Sequence, residues 1–149
     1  SVNMQRNGES DMRQASETIE IETGGKGLTE FTGRARDFVS ASGIETGLLT
    51  AFCRHTSASL LITENAAGAV RRDLAKWLER IAPEGPDYEH DCEGPDDMPA
   101  HLKQVLTGTT LSIPVAGGAP LLGTWQGVFL AEHRAVPHRR EIALHLLGD

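Results

Sequence analysis

Residues 46–63 read TGLLTAFCRHTSASLLIT. The first part, 46–53, is apolar enough for a buried strand that ends at Arg54 and His55. Ser59 to Thr63 reads as a second, shorter strand. Two strands with no helix between them argue against a strictly alternating strand–helix chain. They form a hairpin if His55–Ala58 makes the turn.

Outward from this stretch the pattern stays mixed. Upstream, residues 12–23 alternate, with Ile19 and Ile21 facing inward, and Thr23–Gly27 breaks the strand. Leu28, Phe31, Ala35, Phe38 and Val39 then recur at helical spacing, with Gly43 as the stop. Downstream, Val70, Leu74, Trp77, Leu78 and Ile81 form a helical stripe, with Asn65 as cap and Pro83 as end. Residues 83–97 make a long acidic loop with three prolines, a length that often marks function. A short helix from Pro99 to Leu106 follows, with Asp97 as its N-cap. Residues 111–115 form a strand that Pro114 confines to an edge or an end. Two more strands span Thr124–His133 and Arg140–Leu147. The expected fold class is α+β: one domain with a mostly antiparallel or mixed sheet covered by helices.

The chain has 149 residues, the size of one domain, with 39% hydrophobic and 23% charged residues. The expected domain is 12–149, preceded by a polar, disordered tail over 1–11 in which Ser1-Val2-Asn3 before Met4 reads as an expression scar. With 14 basic against 21 acidic residues the net charge is −7, a poor match to a nucleic-acid partner. No apolar run approaches the roughly 20 residues of a membrane span, and the polar first ten residues give the expectation of no secretory leader. The two cysteines, Cys53 and Cys92, read as cytosolic thiols. The expected location is the cytoplasm.

Chemistry concentrates in four places. Residues 88–101 hold His90 and His101 with five acidic groups. Asp97 and His101 are four apart at a helix start, so both can face one side. Imidazoles with a carboxylate suit zinc or manganese, and carboxylates alone suit magnesium. Equally, Asp97 only caps the helix and the other acids are solvated. In 54–59, the hydroxyls, His55 and free backbone N–H groups either cradle a phosphate or satisfy a polar turn. In 123–134, alternation puts Gln126, Val128, Leu130 and Glu132 on one face, and Trp125, Phe129 and His133 on the other. Trp125 stacks on a ligand ring or belongs to the core. His138-Arg139-Arg140 is a local positive cluster, for an anion or for solvent.

His55-Thr56-Ser57-Ala58-Ser59-Leu60, with Glu64-Asn65 and Asp73 after it, resembles the first signature of the YjbQ family. Asp96-Asp97-Met98-Pro99-Ala100-His101 resembles its second. Gly123-Thr124-Trp125-Gln126-Gly127, followed by Glu132-His133-Arg134, resembles its third. The resemblance runs from about residue 13 to residue 147.

It implies a small α+β homotrimer with sites near subunit boundaries and secondary thiamine-phosphate synthase activity. The reaction joins a pyrimidine methyl diphosphate to a thiazole phosphate and releases pyrophosphate. It implies a divalent metal, magnesium or zinc, near the histidines, held by Asp97, His101, His55 and His133, with Glu132 as a further catalytic residue. Thr56, Ser57, Trp125, Gln126 and Arg139 would contact the phosphorylated small-molecule substrates. A metal-dependent hydrolase of a phosphorylated molecule, or a non-catalytic trimeric metal- or phosphate-binding protein, would use the same residues.

Overall fold

Strand β8, Arg139–Gly148, alternates strictly: Arg140, Ile142, Leu144 and Leu146 are buried and the residues between them are not. A strand with one buried face needs neighbours that present the same face. The chain supplies them on both edges, β1 (Arg13–Glu22) and β3 (Gly47–Cys53). Ile19 of β1 pairs with Ile142, and Leu49 of β3 pairs with Leu146. The computed structural model describes residues 11–149. The expected tail and its scar lie outside the described residues, apart from Asp11.

Among the described residues, eight strands form two antiparallel sheets. One has the order β1-β8-β3-β5-β6, with β5 at Thr110–Ala116 and β6 at Ala119–Pro120. The other has the order β2-β7-β4, with β2 at Gly27–Glu30, β7 at Gln126–Glu132 and β4 at Ala58–Glu64. Helix α1 (Thr32–Ser42) packs on β6 and β7, and its buried Ala35, Phe38 and Val39 join a core shared by both sheets. Gly43 ends α1 in the left-handed region, φ 70°, where glycine carries no Cβ penalty. Helices α2 (Gly68–Ile81) and α3 (Asp97–Thr107) complete the α+β domain.

Four expectations change. The adjacent strands of residues 46–63 form no hairpin. Both edges of β3 are taken by β5 and β8, so residues 54–57 carry the chain across to the second sheet, where β4 pairs with β7. The helix expected from Leu28 begins at Thr32, because Gly27–Glu30 is held as a strand by β7. Asn65 does not cap α2: its side chain goes to Glu30 Oε2, and the Glu64 carboxylate takes the Ala67 N–H instead. The apolar stripe of α2 is also thinly covered, for only Leu78 is buried and Trp77 and Ile81 are exposed.

Strand β7 is buried from Gly127 to Glu132, so both of its faces are covered. Arg71 of α2 lies over the Phe129 ring, 5.5 Å from its centroid. At Gly127 the packing leaves no room for a side chain, since a Cβ would lie 2.6 Å from Glu30 Oε2 and 2.9 Å from Phe129 Cε2. The unbroken burial of β7 carries Glu132, and His133 just beyond it, deep into the molecule.

Candidate metal centre

The first turn of α3 sets the geometry. Asp96, not Asp97, occupies the N-cap position and makes no side-chain cap bond. Asp97 is the first helical residue, its side chain turned inward and 2% exposed. A buried carboxylate must be paired or hydrogen-bonded. Arg134 Nη1 donates to Asp97 Oδ1 at 2.7 Å, and Arg134 Nε donates to Asp96 Oδ2 at 2.9 Å. Arg134 also donates to the Glu93 carbonyl, which ties the acidic loop to the helix start.

The other oxygen, Asp97 Oδ2, faces two imidazoles. His90 Nε2 lies at 2.7 Å and His101 Nε2 at 3.0 Å. Among the described residues, His90, Asp97 and His101 are the group of three whose ligand atoms sit close enough to hold one ion, all within 4.8 Å of one another. His101 Nδ1 lies 2.7 Å from the Thr56 carbonyl oxygen, which can only accept, so Nδ1 carries the proton. A neutral His101 therefore turns a lone pair, not a proton, toward Asp97. Lone pair against carboxylate is repulsive unless a cation, a proton or a metal ion, stands between them. Burial works to raise the Asp97 carboxyl. The His90 hydrogen bond and the charges of His101 and Arg134 outweigh it and hold the group below its usual range.

The other residues expected at the site are dispersed. His55 Nε2 accepts the Glu141 backbone N–H at 2.7 Å, and burial together with the Arg140 charge lowers its pKa. His133 Nε2 bonds Ser59 Oγ at 2.7 Å, and burial takes its pKa to about 4. Neither ring is brought to the Asp97 cluster, because each is committed to a partner in the β-structure. Glu132, whose side chain has no exposed surface, accepts from Thr23 Oγ1 and is clasped by Arg140. Ser57 Oγ takes another Arg140 N–H at 2.9 Å. These two belong to a buried ionic network, with Glu132 held below its usual range by Arg140 and Thr23 against the opposing effect of burial. Gln126 closes a turn by accepting the Gly123 N–H. Trp125 is 63% exposed at that turn, not core. Arg139 is exposed and pairs with Glu22.

Thus Asp97, His101 and the Thr56 carbonyl come together, as the second motif's four-residue spacing allows. His90 joins them from the acidic loop. It stands seven residues before Asp97 in the densest polar stretch, but no spacing rule points to it. Arg134, beside His133, and Arg140 are the other residues that organise the region.

The profile of the UPF0047 protein YjbQ-like family matches residues 17–149. A UPF0047 protein of Synechocystis is 50% identical over 138 residues, 92% of this chain and 94% of that protein. The UPF0047 protein YjbQ of Salmonella typhimurium is 41% identical over 133 residues, 89% of this chain and 96% of that protein. A crystal structure of a YbjQ-like protein of unknown function from Sulfolobus solfataricus superposes with a TM-score of 0.86. It covers 93% of this chain and 99% of that one at 24% identity, a likeness of fold.

Proposed function

This chain belongs to the UPF0047, YjbQ-like family, and on that premise we propose that it is a divalent-metal-dependent enzyme acting on phosphorylated small molecules. The reaction proposed is the transfer implied by the resemblance: a pyrimidine methyl group leaves its diphosphate and is captured by the nitrogen of a thiazole phosphate. The observation that carries the proposal is Asp97 Oδ2 set between His90 Nε2 and His101 Nε2 at 2.7 and 3.0 Å.

The donor set fits a metal ion. Two imidazole nitrogens and one carboxylate oxygen suit zinc or manganese better than magnesium, which prefers oxygen alone. A bound ion would supply Lewis-acid neutralisation of negative charge on a leaving diphosphate. The chain's own residues do the positioning. The Thr56 carbonyl holds the His101 tautomer, and Arg134 fixes the Asp97 carboxylate through its second oxygen. Thr56 is exposed beside His101, and its hydroxyl is offered to a phosphate oxygen. Exposed Trp125 offers a face on which a pyrimidine or thiazole ring can stack.

The proposal extends to a homotrimer in the cytoplasm. Val105, Leu106, Trp77 and Ile81 support the first by exposing apolar surface on α3 and α2. The free thiols Cys53 and Cys92 support the second. No helix among the described residues is long and apolar enough to cross a membrane.

The test is turnover by the purified protein with both substrates together and with each alone, with and without a chelator. Thiamine phosphate formed only from both, at roughly 1 s⁻¹ and abolished by chelation, is the expected result. Phosphate released from one substrate and water assigns a hydrolase instead. Binding without turnover assigns a non-catalytic protein.

A further inference from the structure

A cavity of about 500 Å³ opens between β2, α2 and α3, within the range of small-molecule pockets. Its walls include Leu28, Ala75, Leu78 and Ala131. Of the α2 stripe, Leu78 faces it, beside Ala75 of the same helix, while Trp77 and Ile81 point elsewhere.

The polar groups converging on it are mostly cationic. Lys26, Lys76, Arg80 and Lys103 line it in a chain whose net charge is −7. Of the two carboxylates on the lining, Glu132 is turned away to Arg140 with no exposed side-chain surface. That leaves Glu79. One of its oxygens, Oε1, serves both Lys103 at 2.5 Å and Lys26 at 3.2 Å. Lys103 is 2% exposed, whereas the Glu79 side chain is 45% exposed. A deeply buried ammonium with three N–H donors is thus answered by one carboxylate that reaches in from the surface. Glu79 can turn to water and leave Lys103 to another anion, with Lys26 beside it still paired to Glu84 at 3.3 Å.

We propose that this cavity binds a small amphipathic acid, its anionic head replacing Glu79 between Lys103 and Lys26 and its apolar body lying along Leu28, Leu78 and Ala131. The occupant has a carboxylate or phosphate head and a body of a few carbons. The site does not involve His90, Asp97 or His101, and it stands or falls apart from the metal-dependent reading.

The test is calorimetric titration of the full chain with octanoate, octyl phosphate and neutral octanol, with methyl NMR to locate binding. Octanoate or octyl phosphate should bind one site per chain and perturb the Leu28, Leu78 and Ala131 methyls, whichever of the two is tighter identifying the head. Lys103→Met should weaken binding by about tenfold or more, and Glu79→Gln should strengthen it. Lys26→Met, at a partly exposed lysine, gives the same answer should Lys103→Met fold poorly. Octanol binding as tightly as the anions, anion binding that ignores both lysine substitutions, or no binding even in Glu79→Gln would overturn the proposal.

Discussion

His101 Nδ1 lies 2.7 Å from the carbonyl oxygen of Thr56, 45 residues earlier in the chain. That bond joins the turn between the two sheets to the second turn of α3. It fixes which ring nitrogen is free, and the free one is aimed at Asp97. A metal-ligating histidine is oriented by this kind of second hydrogen bond.

If His90 is a ligand and not a surface loop residue, His90→Ala weakens zinc or manganese binding by more than the roughly 100-fold that loss of an outer hydrogen bond can cost. Arg134→Met acts only through the pose of Asp97 and the tether to Glu93, so its loss falls within about 10- to 100-fold. Competition against a metal-indicator dye reads both affinities.

Glu132 and Arg140 form a buried ion pair, 2% and 4% exposed. Glu132→Ala leaves a guanidinium buried without its main partner, and urea unfolding should show a loss of about 3–5 kcal/mol. Adding Arg140→Met should recover part of that loss. A folded, fully stable Glu132→Ala protein would return Glu132 to the list of catalytic residues.

His133 has its folded pKa depressed to about 4, chiefly by burial and then by Lys103. Between about pH 6.5, its unfolded value, and about pH 4 the unfolded chain binds the proton and the folded one does not. Stability is therefore full above pH 6.5 and falls as pH drops through that window, by at most about 3 kcal/mol. His133→Asn should flatten this part of the profile. The buried carboxylates Glu132, Asp96 and Asp97, held low by their partners, lose their contribution at lower pH. Unfolding midpoints at intervals from pH 7 down to about pH 2 separate the two.

Trp125 is exposed at the turn before β7. Trp125→Ala should leave stability within about 0.5 kcal/mol, while raising the KM for a ring-bearing substrate about two- to tenfold through lost stacking. A large stability loss would mean that this ring packs against protein.

The elements with strong periodicity were legible: β1, β8, α1 and α2 all carry their pattern in consecutive residues. Strand β2 was not, because Leu28 within it and Phe31 just after it stand at a spacing that also continues a helix. Nor was the division into two sheets, which follows from β8 and β5 occupying both edges of β3, a matter of pairing partners far apart in the chain. At the site, Asp97 and His101 share a helix face and their four-residue spacing says so. The inward turn of Asp97 depends on Arg134, 37 residues on. His90 sits in a loop without periodicity, and His55 and His133, alike as residues, are drawn to Glu141 and Ser59 by the register of the strands.

The most direct test of the metal centre is the metal content of the purified chain after dialysis against zinc or manganese, wild type beside Asp97→Asn. One ion per chain in the wild type and none in a folded Asp97→Asn protein is the predicted result. An ion retained by Asp97→Asn, or none in the wild type, would contradict it.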